Sequence, residues 1–423
     1  MTETYVSIWE KAIGKAAWSK NKGWITFIPT YEFNEIYTLV LPIIKSYYGN
    51  PFASQQSNLV LQGLFSDSLP DKFGNRVMNQ WLISQGIKPK EINPVERLKL
   101  IGKRGMGAFE FELSELIPNV PLQEIKIDHL VQIVNKTLNQ QSEKIEQKDL
   151  EILFLIGTSA GGARAKAILL WNPKTSRFYT DKNPNLPDLD HWLIKFDGIH
   201  NNRDKEQADP QAYGKIEYAY YLMALEVGIK MTPCRLYYEG CRSHFMTKRF
   251  DRTDDGGKLH MQTLGGLAGF DYNQPDKYSY EQAIQVMQQL DLLKEDFEQQ
   301  VLRTMFNIVA RNQDDHVKNI PFLMNPEGEW RLSPAYDVTY AYDPNGLWTG
   351  KHQMSVNGKR DGFTKEDLIT FAIYSGIKSE RAYEMLDNII KSVKQWEKIA
   401  CETGIDETRI HQIRKTHRLS LLD

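Results

Sequence analysis

Polar and charged residues crowd one short segment between two apolar stretches of the chain. The segment reads NQDDHVKN over residues 312–319, with MFNIVA shortly before it and IPFLM directly after it. Charged groups beside a core are costly unless they are paired or ligated. The segment therefore predicts a bound ligand, a metal ion or a hydrogen-bonded network.

The spacing of the acids and the amide is typical of phosphoryl transfer. Asp314 and Asn319 lie five positions apart, and Asp337 follows a strand-turn-strand pattern. In kinases an Asp receives the hydroxyl proton, an Asn five positions later holds a metal ion, and a later Asp holds metal as well. Mg²⁺ prefers a few such oxygens together with substrate phosphates, so Asn319 and Asp337 suit it. The alternative is a polar helix end whose Asp and Asn cap backbone groups.

The spacing does not by itself assign a role to three neighbours within the segment. We expect Asp315 to face solvent, because the phosphoryl-transfer pattern does not need it. His316 by itself is more typical of a structural histidine than of a base. We nevertheless assign His316 and Lys318 to the nucleotide site.

A lysine on a strand and a glutamate on the following helix form a second candidate pair. Lys195 lies in WLIKFD, and Glu217 lies in the first turn of YGKIEYAYYLMALEVG. Lys195 could place a charge on the nucleotide phosphates, with Glu217 holding it in position. Alternatively Lys195 extends along apolar surface to solvent, and the helix dipole stabilises Glu217.

Two further segments could contact a nucleotide through backbone groups. GTSAGGARAK, residues 157–166, lacks the Walker spacing, but the amides of Ser159, Ala160 and Gly161 could cover phosphates. FMTKRFDR, residues 245–252, would connect two lobes, and Lys248 and Phe250 could offer backbone hydrogen bonds to adenine. The alternatives are a tight turn and an edge strand.

The elements that must position these residues predict an α+β chain. Strands are predicted at YVSIWE, WITFIPTY, AFEFEL, LEILFLIG, AILLW, HWLIKFDG, CRLYYEG and HFMTKRFDR. Helices are predicted at FGNRVMNQWLISQG, at YGKIEYAYYLMALEVG and through most of the chain after residue 278. LVQIVNKTLNQQSEKIEQKDLE is a candidate linker. We predict an N-terminal domain over 1–145, a β-rich small lobe over 146–252 and a helical large lobe over 253–423.

Composition is that of an ordinary soluble protein. The chain has 423 residues, a net charge of −2 and three cysteines without metal-type spacing. No signal peptide is expected, and the apolar stretches fall far short of the roughly 20 residues that span a membrane. A cytoplasmic protein without direct nucleic-acid binding is therefore expected.

The ordered blocks resemble the HipA family of serine/threonine kinases, the toxins of bacterial type II toxin–antitoxin pairs. GLFSDSLPDKFGNRV and IGKRGMGAFEFE resemble its N-terminal domain. The kinase-domain blocks are GTSAGGARAKA, WLIKFDG, IEYAYYLMALEVGI, MTKRFDR, NQDDHVKN and LSPAYDVTYA. Together they imply a protein-kinase-like bilobal fold that binds ATP and Mg²⁺.

The resemblance implies a role for each matching residue. Asp314 would be the catalytic base, Asn319 and Asp337 the Mg²⁺ ligands, and Lys195 a contact to ATP phosphates. Lys248 and Phe250 would contact adenine through their backbone, although Lys248 stands where relatives often carry an acid. Ser159 would be autophosphorylated, with Thr158 as an alternative acceptor, and the added charge would eject the loop.

The resemblance also implies partners. These are a helix-turn-helix antitoxin dimer of the HipB type, DNA only through that antitoxin, and a cytosolic protein substrate such as an aminoacyl-tRNA synthetase. Two other readings stay open: a kinase-like co-repressor scaffold and a small-molecule kinase.

Overall fold

A computed structural model describes residues 2–21, 23–29, 63–139, 145–158, 164–180, 188–199 and 213–422. The chain divides into two compact units. The first comprises Met1–Gln211, Arg235–Gln262 and Met324–Glu329, and the second comprises Ala212–Cys234, Thr263–Leu323 and Trp330–Asp423. The predicted domain boundaries stay predictions.

A four-stranded antiparallel sheet begins the first unit. Its order is β3-β2-β1-β4, with β1 at Glu3–Ile8, β2 at Lys11–Ser19, β3 at Trp24–Pro29 and β4 at Phe109–Phe111. The predicted strands YVSIWE, WITFIPTY and AFEFEL are confirmed within these bounds, with Thr30 and Tyr31 outside the described residues. Strand β2 was not predicted. Gly14 in β2 allows the close approach of β3, because a Cβ there would lie 2.5 Å from the Ile28 carbonyl oxygen.

Helices follow in the same unit: α1 at Lys72–Ser84, α2 at Pro94–Ile101, α3 at Ile127–Leu138 and α4 at Gln147–Gly157. The strand prediction for LEILFLIG is wrong, because these residues form α4. Leu150 and every residue of 152–157 are buried, so the run carries no polar face to reveal its helical period. Where the structure describes it, the candidate linker forms most of α3 and the start of α4, with Asn139, Ile145 and Glu146 outside both helices.

A six-stranded sheet completes the first unit, in the order β5-β7-β6-β8-β10-β9. Its bounds are β5 at Glu124–Ile125, β6 at Lys166–Asn172, β7 at Arg177–Tyr179, β8 at Asp190–Lys195, β9 at Cys234–Glu239 and β10 at Arg242–Lys248. One buried cluster joins residues of α1, α3 and α4 to residues of β6 and β8. The predicted strands AILLW and HWLIKFDG are confirmed as the centre of this sheet.

The second unit is mainly helical. Its helices are α5 at Tyr213–Glu226, α6 at Leu264–Ala268, α7 at Tyr280–Gln289, α8 at Lys294–Val309, α9 at Lys365–Tyr374, α10 at Ser379–Lys394, α11 at Trp396–Glu402 and α12 at Glu407–Arg414. Strand β11 (His260–Thr263) spans the boundary between units, and β12 (Pro321–Met324) and β13 (Trp330–Leu332) form the predicted strand-turn-strand. None of the helices in the described ranges combines the length and apolarity needed to span a bilayer.

Candidate active site

The segment 312–319 forms a closed loop at the end of α8. Arg311 adopts a left-handed backbone conformation, φ 60°, which ends the helical path. A 3₁₀ turn over Val317–Asn319 then returns the chain. The Asn319 side-chain amide donates to the Asp314 backbone carbonyl at 2.7 Å. This bond brings together the two residues that the spacing singled out.

One carboxylate oxygen of Asp314 is held in place by a distant residue. Gln353 Nε2 donates to Asp314 Oδ1 at 2.7 Å. Asp314 is half-buried and remains accessible. A half-buried carboxylate with one oxygen fixed has its other oxygen oriented, which is what a proton acceptor needs.

Asp315 does not face solvent, and that prediction is wrong. It is only 3% exposed, and its carboxylate accepts hydrogen bonds from the Tyr280 hydroxyl and the Gln353 backbone amide, both at 2.8 Å. His352 Nδ1 lies 2.7 Å from Asp315 Oδ2. Burial raises the pKa of Asp315, but the hydrogen bonds that its carboxylate accepts from His352, the Gln353 amide and Tyr280 outweigh burial and hold the pKa below its usual value.

A small pocket adjoins the loop and is lined in part by His316, Asn319 and Asp337. Arg303 and Asn312 also line it, and their Nε and Oδ1 atoms are buried without a hydrogen bond in the described residues. Burial lowers the pKa of Arg303 to about 9, which still leaves the guanidinium charged at neutral pH. Buried polar atoms that lack a partner indicate a polar occupant.

The donor set of this pocket fits Mg²⁺. The Asn319 amide nitrogen is engaged with Asp314, so the amide oxygen is the atom left for a cation. Asp337 supplies a carboxylate from a backbone position with φ 56°, a conformation that few side chains adopt. Mg²⁺ commonly takes one or two protein oxygens and completes its shell with water and phosphate. In the described ranges, no cluster of three or more His, Cys, Asp or Glu side chains could hold a metal.

His316 and Lys318 lie beside an aromatic ring. The His316 ring centroid is 5.9 Å from that of Tyr272, and Lys318 Nζ lies 4.6 Å from the Tyr272 ring centre. The Lys318 carbonyl accepts a hydrogen bond from the Tyr336 hydroxyl. Their assignment to a nucleotide site stays a prediction.

Lys195 and Glu217 belong to different units. Lys195 ends β8, is paired with Lys166 and Phe245 on the neighbouring strands, and holds its Nζ 5.6 Å from the Phe245 ring centre. Glu217 is buried in α5, with 1% of its surface exposed. The ion pair between them stays a prediction.

The last residue of β10 and the residue after it make contacts within the first unit. The Lys248 ammonium lies 2.9 Å from the carboxylates of both Asp190 and Asp254. Burial opposes the effect of these two acids, which raise the pKa of Lys248. The Arg249 amide donates to the His191 carbonyl at 2.9 Å. The expected backbone contacts of Lys248 and Phe250 to adenine stay predictions.

The glycine-rich loop is described only at its edges. Ser159, Ala160 and Gly161 lie outside the described residues. Thr158, the alternative acceptor, is fully buried, and its hydroxyl donates to the Phe154 carbonyl at 2.8 Å. Arg104 Nη1 donates to the same Thr158 oxygen at 3.1 Å. Thr158 therefore holds the end of α4 in this conformation.

Two protein-family models match this chain, one in its N-terminal and one in its C-terminal part. The HipA-like C-terminal domain matches residues 158–397, more than half of the chain, and the HipA N-terminal domain matches residues 4–112. This chain belongs to the HipA family. A search of curated proteins gave no significant match.

A solved HipA structure confirms the fold of this HipA-family chain. The Shewanella oneidensis MR-1 HipA, solved with HipB and operator DNA, matches with a TM-score of 0.67 and 16% identity over 99% of this chain and 96% of that one. The Helicobacter pylori proinflammatory kinase CtkA gives a TM-score of 0.36 and 13% identity over 57% of this chain and 94% of that one. The predicted α+β, protein-kinase-like class is confirmed.

Sequence analysis of this HipA-family chain missed His352, Gln353 and Arg418. They lie 33 or more positions beyond Asn319, and no local motif marks them. His352 is fully buried, and the side chain of Arg418 is 9% exposed. Co-variation between distant positions in related sequences is the kind of signal that reveals such contacts.

Proposed function

We propose that this chain is an ATP- and Mg²⁺-dependent protein serine/threonine kinase that acts as the toxin of a HipA/HipB-like toxin–antitoxin system. Membership of the HipA family and the kinase-like fold support the proposal. The alternatives with the same fold are a co-repressor scaffold and a small-molecule kinase.

One observation carries the proposal. The loop from Asp314 to Asn319 is closed by a side-chain bond, Asp314 is oriented by Gln353, and Asn319 shares a pocket with Asp337. These contacts support a proposed base, Asp314, close to two proposed oxygen donors, Asn319 and Asp337. Phosphoryl transfer needs this kind of positioning more than covalent help from the protein.

Each residue has a role in the proposed reaction. Asp314 accepts the proton of the substrate hydroxyl through its free oxygen, and the Gln353 amide keeps that carboxylate oriented. Asn319 and Asp337 hold the cation by their oxygens. Bound Mg²⁺ would neutralise charge on the phosphates of ATP. Lys195 would add a fixed positive charge at the phosphates, and Lys248 and Phe250 would bind adenine through backbone groups.

Regulation and partners complete the proposal. Ser159 in the glycine-rich loop is the proposed autophosphorylation site, and the added charge would displace the loop from the nucleotide. Because the Shewanella HipA was solved with HipB and operator DNA, we propose an antitoxin partner of that type, with DNA reached only through it. The substrate is a cytosolic protein, for which an aminoacyl-tRNA synthetase is one candidate.

Phosphate transfer by matched variants tests the proposal. Asp314→Ala and Asp337→Ala should each lower the transfer rate at least about 100-fold, the usual contribution of a lost acid–base or charge-positioning group. Asp387→Ala is the control, since that acid lies in the middle of α10 and is not one of its buried residues. Thermal unfolding should show that all variants fold.

The outcomes separate the readings. Wild-type rates in either active-site variant would refute the assignment of that residue. Absence of transfer by wild-type protein that mass spectrometry shows to be unphosphorylated, with every protein substrate tried, would favour the co-repressor or the small-molecule kinase.

A further inference from the structure

A buried triad of polar side chains lies behind Asp314 and consists of Asp315, His352 and Arg418. His352 Nδ1 lies 2.7 Å from Asp315 Oδ2, and Arg418 Nη1 lies 2.9 Å from His352 Nε2. His352 is fully buried. All three residues belong to the second unit.

The triad fixes the position of the imidazole proton. A guanidinium only donates hydrogen bonds, so His352 Nε2 must accept the bond from Arg418. His352 is then neutral with its proton on Nδ1, and that N–H donates to Asp315. The opposite tautomer would set a lone pair of Nδ1 against the Asp315 carboxylate, and the two would repel each other.

Arg418 is itself held by the end of α8 and by the loop. Its backbone amide donates to the Val309 carbonyl at 2.9 Å, and Nη1 donates to the Ile308 carbonyl at 2.7 Å. Nη2 donates to Gln313 Oε1 at 3.2 Å and pairs with Asp361. Arg418 is thereby bonded to Gln313, the residue directly before Asp314.

His352 and Gln353 together hold the carboxylates of Asp314 and Asp315 in place. The Gln353 backbone amide donates to Asp315 Oδ1, and the Gln353 side chain donates to Asp314 Oδ1. His352 holds the other oxygen of Asp315. A displaced His352 would therefore move Gln353 and, with it, the oriented carboxylate of Asp314.

We propose that His352 and Arg418 are positioning residues: Arg418 sets the His352 tautomer, and His352 with Gln353 holds Asp314 in its reactive orientation. The inference rests on the proposed function only for its effect on catalysis. Its structural part, a loop held in place from the C-terminal segment, stands independently. Misplacing a catalytic group by about 1 Å costs on the order of 100-fold in rate.

The variants separate positioning from bulk stability. Arg418→Met removes the donor to Nε2, and His352→Leu removes the donor to Asp315. His352→Asn retains a donor near the position of Nδ1 and should rescue the function that His352→Leu loses. Arg414→Met is the control, because Arg414 lies nearby in α12 and makes a half-exposed ion pair with Glu397.

Hydrogen exchange of the loop and steady-state kinetics together test the proposal. Arg418→Met and His352→Leu should raise amide exchange in peptides covering 311–320. They should also lower kcat by about 10- to 100-fold, with the KM for ATP changed less than about 3-fold. His352→Asn and Arg414→Met should stay within about 3-fold of wild type in kcat, with loop exchange unchanged.

Unchanged loop exchange in both Arg418→Met and His352→Leu would overturn the inference, whether or not the protein is a kinase. So would increased exchange with a wild-type kcat. If wild-type protein transfers no phosphate but both variants expose the loop, the holding role is supported and the proposed function is what fails.

Discussion

Asn319 is expected to have two roles in the proposed site. Its nitrogen closes the loop onto Asp314, and its oxygen is available to a cation. Asn319→Ala should therefore raise the Mg²⁺ concentration for half-maximal transfer at least about 10-fold, as loss of a metal-site group commonly does. Mg²⁺ titration of the initial rate checks this.

Asn325→Ala is the matched control for that titration, since Asn325 is an amide whose hydrogen bond to Glu329 is exposed. An unaltered Mg²⁺ dependence in Asn319→Ala would remove Asn319 from the metal site.

The buried His417 predicts a pH dependence of stability. Burial, with a smaller contribution from Arg311, lowers the pKa of His417 to about 3. Below pH of about 6.5 the unfolded chain binds a proton at this residue that the folded chain does not bind until pH of about 3. Its contribution to the free energy of unfolding is therefore present above pH of about 6.5 and is lost as the pH falls.

His417→Gln tests this, because glutamine does not titrate and can still reach the Tyr220 hydroxyl that lies 3.0 Å from His417 Nε2. Denaturant unfolding is measured at several pH values between 4 and 6.5. The free energy of unfolding should change with pH less steeply in His417→Gln than in wild type, by up to about 1.4 kcal/mol per pH unit. Equal slopes in the two proteins would show that His417 binds its proton equally well in the folded and unfolded chains, which would contradict the lowered pKa.

Sequence analysis proposed Asp314, Asn319 and Asp337 as site residues because their signal lies in spacing and order. It placed Asp315 wrongly, since the burial of Asp315 depends on Tyr280, 35 positions before it, and on His352, 37 positions after it. Contacts at that separation leave no mark in a window of local sequence.

At the scale of elements, α4 shows where periodicity fails. Its apolar run is buried on nearly every side, and a continuous apolar sequence is compatible with either a buried strand or a buried helix. The amphipathic α10 was predicted correctly as a helix, because it alternates buried and exposed residues at helical spacing.

The end of α4 yields a prediction for Arg104. Its guanidinium donates to the Leu155 and Leu100 carbonyls at 2.6 Å and to Thr158, next to the glycine-rich loop. Arg104→Lys cannot make all these bonds and should lower the free energy of unfolding by about 1–3 kcal/mol. Hydrogen exchange in 150–158 should increase in parallel.

Lys103→Met is the control for that variant, because Lys103 is adjacent and its side chain is 66% exposed. Equal losses of stability in the two variants would mean that the contacts of Arg104 at the end of α4 contribute nothing specific.

At the scale of the whole molecule, the order of the blocks was more informative than any single motif. The glycine-rich loop and the spacing from Asp314 to Asn319 are each weak signals. Their order along the chain indicated the HipA family, and HipA family models match residues 4–112 and 158–397. The division into compact units depends on packing between segments far apart in sequence, which local patterns do not encode.

Phosphosite mapping tests the central claim most directly. Wild-type protein and Asp314→Ala, both first shown by mass to be unmodified, are incubated with Mg²⁺ and ATP, and their peptides are analysed by mass spectrometry. The account predicts phosphate on Ser159 in wild type and none in Asp314→Ala. Phosphate at the same level in both proteins, or in neither, would contradict it.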